Sequence, residues 1–163
     1  MTSPKVKLDN AQQFAMRHSL LAMAMRSGEY TPTQYVLMNE AGEVCATGLA
    51  SLVAEQMGAP IIHRLIDLDL NGTLVKESRV YRFESTIRTY DGMDHDFGSC
   101  MRVGSASHMI LEVQEFYGWS TPHGMFNGAA IHEYNPYFSL VEASDKGVPF
   151  SVLADWIEEG RVR

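Results

Sequence analysis

A thiol and two imidazoles are the side chains of this sequence with the most potential for covalent chemistry. A helix is predicted to follow Cys100, and the field at its N-terminus would lower the pKa of the thiol and favour the nucleophilic thiolate. His123 or His132 would then act as the base of a small hydrolase or transferase. Such residues must meet in space, and no local signature of a cysteine-hydrolase family surrounds Cys100. A buried core thiol is the simpler interpretation of Cys100, and also of Cys45, so the enzyme is kept as the alternative function.

Asp94, His95 and Asp96 are three consecutive side chains that could bind a metal ion. A calcium-binding loop would need alternating acidic residues followed by a glycine and a distal glutamate, and that pattern is absent. Neither a CxxC pair nor a Cys/His zinc spacing occurs in the sequence. We interpret the segment as a solvated acidic loop, and we predict no metal and no cofactor.

The segment 119–135 combines loop-forming and aromatic residues. Its two glycines, Gly124 and Gly128, would allow the backbone to approach a ligand closely. We predict that most of this segment is a loop that forms a ligand or partner surface. In the alternative interpretation, the aromatic side chains only anchor an irregular segment to the sheet. The predicted binding side chains of this region are Trp119, Phe126, Tyr134 and Tyr137.

The first helix is predicted to run from about residue 10 to residue 26. Asp9 or Asn10 can cap it, with a glutamine three residues on, and Gly28 can end it. Two apolar rows on nearly opposite sides favour burial within the chain, or else a position between the core and a second subunit. Methionine adapts to varied surfaces, which makes the second row a candidate binding face. The first row is Phe14, His18, Leu21 and Met25, and the second is Met16, Leu20 and Met23.

Two strands, 61–70 and 79–90, dominate the middle of the chain, with an Asn71-Gly72 turn after the first. Alternating apolar and polar residues predict one buried and one exposed face in each strand, which is typical of antiparallel sheets. Ile62 falls in the predicted buried set of the first strand. Residues 73–76 are expected to pair back on that strand.

Shorter elements complete the predicted fold. They are strands at 33–38 and 43–47, helices at 49–57 and 105–117, a last strand at 137–142 and a final helix capped by Ser151. We predict a single α+β domain spanning residues 1–163. Its sheet is mostly antiparallel and packs against three or four helices.

The net charge and the missing sequence motifs argue against several classes of function. The formal net charge of -7 opposes binding to nucleic acids or anionic membranes, because both rely on basic patches. No secretory signal and no run of about 18 apolar residues is present, so we expect a cytoplasmic protein. Catalytic and nucleotide-binding motifs are also missing. We therefore expect a non-enzymatic acidic module that binds and regulates or inhibits another protein, for example a basic nucleic-acid-handling enzyme. Homo-oligomers through the first helix are a further expectation.

Overall fold

A computed structural model describes residues 8–70, 73–87 and 108–163 of the chain. These residues form five helices and two small antiparallel sheets, which confirms the predicted α+β class. The first sheet has the strand order β1-β3-β2, and the second consists of β4 and β5. In chain order the elements are α1 (Asn10–Arg26), β1 (Met38–Asn39), α2 (Ala46–Gln56), β2 (Ile61–Leu70), β3 (Thr73–Ser85), α3 (Leu111–Tyr117), β4 (Met125–His132), β5 (Asn135–Ser139), α4 (Leu140–Asp145) and α5 (Phe150–Glu158).

Helix α1 begins and ends where the sequence predicts. The Asp9 carboxylate accepts a hydrogen bond from the Gln12 backbone N–H (2.8 Å), and the Gln12 side chain accepts one from the Asp9 N–H (3.0 Å). These two bonds form a capping box. After Ser27, Gly28 adopts the left-handed conformation with φ of 77°. The helix packs on α5, α2 and α3.

Strands β2 and β3 pair antiparallel in a hairpin, with Ile61 opposite Ser85 and Leu70 opposite Thr73. The pairing confirms the predicted hairpin, although β3 begins earlier and ends earlier than the predicted strand 79–90. The predicted turn at 71–72 lies outside the described residues. β2 also packs against α2, and β3 against β1, so the base of the hairpin is attached to the helical part of the chain.

The predicted buried face is wrong at the start of β2. Ile62 was assigned to that face but is 42% exposed, whereas Ile61 and Phe83 are buried. His63, on the same side as Ile61, lies 2.6 Å from the Glu55 carboxylate of α2. Contact with α2 therefore decides which side of β2 faces inward, and alternation within the strand does not contain this information.

The chain between α1 and β2 contains less strand than predicted. The Gly42 N–H donates to the Asn39 carbonyl (3.0 Å), so the chain reverses where expected. The predicted strand at 43–47 is wrong because Cys45 caps α2: its Sγ accepts a hydrogen bond from the Gly48 N–H (3.3 Å). The strand predicted at 33–38 is reduced to the start of β1, because the Leu37 carbonyl turns to accept the Cys45 N–H (3.1 Å).

The segment 119–135, predicted to be mostly loop, contains strand β4. Glu133 and Tyr134 form the turn to β5 with left-handed φ angles of 49° and 66°. Ser139 then ends β5 and caps α4, since its Oγ accepts a hydrogen bond from the Glu142 N–H (3.1 Å). This cap explains why the strand predicted at 137–142 gives way to a helix.

The last two predicted helices are present. α3 is helical and ends at Gly118, as the sequence predicts, but it begins at Leu111, so residues 108–110 of the predicted helix 105–117 are not helical. α5 begins after Pro149 rather than at a Ser151 cap, and it buries Leu153, Trp156 and Ile157. Within the described ranges, no helix is both long and apolar enough to cross a membrane.

Candidate interaction surface

Three of the four predicted binding aromatics lie in the core. Trp119, Phe126 and Tyr137 are buried. The Trp119 ring stacks on Tyr117 at 4.5 Å between centroids, and the Phe126 ring meets Trp156 edge-on at 5.4 Å. Their rings are therefore anchors, as in the alternative interpretation, and do not offer a free surface. For Phe126 and Tyr137 the physical reason is that β4 and β5 form a sheet whose inner side packs on α5, through Trp156. Trp119 precedes this sheet and packs against Tyr117 and His18.

The outer side of this sheet carries an apolar surface that we name the hairpin patch, made of Ile131, Tyr134, Pro136 and Phe138. Tyr134 is 100% exposed, Ile131 66% and Phe138 51%. Ile131 lies opposite Pro136 in the pairing of β4 with β5. Since side chains alternate along a strand, Phe138 shares the face of Pro136 and lies diagonally across from Ile131. The patch is therefore one continuous strip that ends at the exposed turn.

The sheet that carries the hairpin patch is held by α5 on its inner face and by residues 161–163 along β4. On the inner face, Tyr137 packs near Trp156, with ring centroids 6.4 Å apart. On the outer edge of β4, the Asn127 N–H donates to the Arg161 carbonyl (2.7 Å), and the Arg163 N–H donates to the Met125 carbonyl (2.9 Å). Residues 161–163 thus add a short pairing at the start of β4, and the patch does not depend on a free-standing hairpin.

Polar groups surround the hairpin patch. The Glu133 side chain is 82% exposed, and its carboxylate lies 3.9 Å from His132 Nε2. A surface cavity of about 350 Å³ adjoins the strip and is lined by Pro136, Tyr137, Glu142, Lys146 and Asn135. An apolar centre with a charged rim is the usual arrangement at protein interfaces.

A second apolar surface lies on α1, and we name its three side chains, Met16, Leu20 and Met23, the α1 row. Met23 is 63% exposed, Met16 43% and Leu20 36%. The preferred prediction, burial of both rows within the chain, is therefore wrong for this row. No further element of the described chain covers these side chains, because α5, α2 and α3 all pack on the opposite side of α1.

The charged and titratable side chains of α1 turn away from the α1 row. Arg17 places its guanidinium 4.1 Å over the Phe116 ring and donates to the Phe116 carbonyl (2.7 Å). His18 Nε2 lies 2.8 Å from the Tyr117 carbonyl, and its ring stacks on Trp119. Burial lowers the pKa of His18, so this imidazole is neutral near pH 7 and donates from Nε2.

The two predicted bases, His123 and His132, do not lie together, and the predicted nucleophile is not among the described residues, so the catalytic set stays a prediction. Cys100 lies outside those residues, as do Asp94, His95 and Asp96. His123 precedes β4 and His132 ends it, so an eight-residue strand separates them, up to about 25 Å at ~3.3 Å per residue. The ring of His123 instead contacts His108 edge-on, at 4.3 Å between centroids.

The other cysteine is unsuited to catalysis. Cys45 is buried, and burial raises the pKa of its thiol. Its Sγ lies 3.3 Å from Thr47 Oγ1 and caps α2, which is a structural role. Within residues 8–70, 73–87 and 108–163, no group of three or more His, Cys, Asp or Glu side chains could hold a metal ion.

Sequence reasoning identified Tyr134, Met16 and Met23 but missed Ile131 and Phe138. A signal for one of them was present. Tyr137 and Phe138 are adjacent on a strand, so their side chains must point to opposite faces, and one of the two had to face outward.

Comparisons with protein-family models, curated proteins and solved structures found no match for this chain.

Proposed function

We propose that this protein is a non-enzymatic interaction module that binds another protein through the hairpin patch and thereby regulates or inhibits it. The observation that carries the proposal is the exposure of Ile131 and Phe138 on one face of a supported sheet, with the fully exposed Tyr134 in the adjoining turn. Isolated exposed apolar residues need no explanation, but a continuous strip of large ones is typical of interaction sites. Tyrosine at its tip is favourable, because it combines apolar area with a hydroxyl group and few rotatable bonds.

The size of the patch indicates how the partner is held. Burying one apolar side chain of this kind contributes roughly 1.5–3 kcal/mol. Three such contributions are of the same order as the ~4–15 kcal/mol cost of association, so the patch alone would bind weakly. Contacts at the rim must supply the remaining affinity. Glu133, next to the tip, is the exposed charge best placed to do so.

The charge of the chain favours a basic partner. With a formal net charge of -7, the protein attracts cationic surfaces over long range and repels acidic ones. A basic groove, such as that of a nucleic-acid-handling enzyme, would place cationic side chains around the apolar strip and near Glu133. Occupation of that groove would exclude its normal anionic ligand, and inhibition would follow directly from binding.

Affinity capture from a host lysate, with matched variants, tests this function. The double variant Ile131→Ser/Phe138→Ser removes the strip, whereas Tyr35→Ser removes an aromatic side chain of equal exposure outside the hairpin; Tyr35 and Ile131 are both 66% exposed. We expect one protein to be retained by the wild type and by Tyr35→Ser, lost with the double variant, and weakened at high salt. Equal capture by all three chains, or no capture at either salt concentration, would count against the proposal.

A further inference from the structure

We propose that the outward face of α1 pairs with the same face of a second copy of this chain. The α1 row supplies three apolar side chains at positions i, i+4 and i+7, all on one side of the helix. These residues differ from those of the hairpin patch, so the inference stands or fails independently of the proposed function.

The first argument is the absence of charge on this face. Charged residues make up 20% of the chain, yet every residue that α1 exposes before Arg26 is uncharged. Arg17, the one other arginine of the helix, is turned onto Phe116. The exposed residues are Asn10, Ala11, Gln12, Ala15, Met16, Ser19, Leu20 and Met23.

This pattern fits a second copy better than a charged partner. In a two-fold symmetric dimer the same patch lies on both sides, so a charged residue near the axis would face its own copy. Each copy also carries a net charge of -7, and the resulting repulsion is weakest where the contact surface itself is uncharged. A basic protein would instead be recognised by acidic side chains, and this face offers none.

The length of α1 limits the area that the dimer can bury and therefore its affinity. A helix of 17 residues is about 25 Å long. Two such helices packed about 8–10 Å apart would bury a strip of roughly 250 Å² on each copy. A standard interface buries about 800 Å² per partner, so a dimer through α1 is weak, with a dissociation constant on the order of 10 μM or higher. Short neighbours such as Ala15 and Ser19 allow this close approach, and the methionines adapt to it.

Sedimentation velocity over roughly 1 μM to 1 mM tests the dimer at the concentrations set by that affinity. We expect a concentration-dependent shift from monomer to dimer in the wild type. Met23→Glu should weaken the dimer by at least about tenfold, because symmetry places the new charge in the interface twice. Ile87→Glu, outside both apolar surfaces, is the matched control, since Ile87 and Met23 are 68% and 63% exposed and the added charge is the same. This control should dimerise like the wild type.

A charge-pairing experiment separates contact from a folding defect. Leu20 is the middle residue of the α1 row, so its two copies come within about one helical turn in parallel or antiparallel pairing that centres on the row. Leu20→Glu and Leu20→Lys should each be monomeric, and an equimolar mixture should dimerise again. A wild-type chain that stays monomeric to about 1 mM would overturn the proposal. So would a Met23→Glu chain that dimerises normally, or a mixture that remains monomeric.

Discussion

Gly48, in the first turn of α2, permits the closest backbone approach in the described core. A Cβ atom at this position would overlap the Leu37 carbonyl oxygen and lie 2.5 Å from the carbonyl carbon. Non-bonded carbon atoms prefer about 3.5–4.0 Å, so Gly48→Ala would force the two backbones apart by at least about 1 Å. Leu37 and Gly48 are both buried.

Three effects determine how much Gly48→Ala changes the free energy of unfolding. Overpacking of a dense core costs about 3 kcal/mol at the upper end of its usual range. Displacement of the Leu37 carbonyl also weakens its hydrogen bond from the Cys45 N–H (3.1 Å), a loss of about 1 kcal/mol. The helix preference of alanine over glycine returns up to about 1 kcal/mol. We therefore expect Gly48→Ala to lower the free energy of unfolding by about 3 kcal/mol, or the melting temperature by roughly 10 °C.

Urea denaturation followed by circular dichroism measures this change. Gln56→Ala is the control, because Gln56 is the exposed last residue of the same helix, and we expect a change within about 0.5 kcal/mol. If Gly48→Ala is as stable as the wild type or more stable, the contact between α2 and Leu37 is not as described, and the reasoning fails.

Three further outcomes are expected. Tyr117→Phe should cost about 1 kcal/mol of stability in urea denaturation, because the buried Tyr117 hydroxyl donates to the Ala50 carbonyl (2.7 Å); an unchanged midpoint would argue against that bond. Burial lowers the pKa of His18 in the folded state, so its contribution to stability is complete above the unfolded pKa and declines as the pH falls below it. His18→Gln should therefore reduce the pH dependence between pH 7.5 and pH 5, and an unaltered dependence would contradict this. With iodoacetamide near pH 6, Cys45 should react only after unfolding; fast reaction at Cys100 would support the hydrolase alternative.

The ends of α1 could be predicted because their causes are local. Asp9 and Gln12 are three residues apart, and the side chain of each accepts a hydrogen bond from the backbone N–H of the other. Gly28 follows the last turn. The hairpin of β2 with β3 was predictable for the same reason, since the sequence Asn71-Gly72 between the two strands is itself a hairpin signal and the pairing begins at Leu70 and Thr73. Capping and tight turns depend on neighbouring residues, and those are visible in a sequence.

Elements fixed by distant contacts could not be predicted. α2 starts one residue after Cys45 because the Ala46 N–H donates to Ser144 Oγ (3.0 Å) and the Cys45 N–H to the Leu37 carbonyl. β4 forms although Glu133 and Tyr134 need left-handed φ angles that such residues rarely adopt. Packing on α5 and pairing with residues 161–163 offset that cost.

The candidate surface was predictable only in part. Tyr134 was identified from the composition of its segment, whereas Trp119 and Phe126 were assigned to the surface but lie in the core. Composition shows that aromatic residues are concentrated in a region, but it does not show which of them the sheet turns inward. Phe138 was missed because its exposure depends on Tyr137 taking the inner face against α5.

Photo-crosslinking from position 134 shows directly whether the hairpin patch binds one specific protein. A photoreactive phenylalanine analogue in place of Tyr134, the fully exposed tip of the hairpin patch, would capture whatever binds there, and the same analogue at the exposed Glu40 is the control. We predict a crosslink to one protein from position 134, abolished by Ile131→Ser/Phe138→Ser and absent from position 40. A crosslink from both positions alike, or one that survives the double substitution, would contradict it.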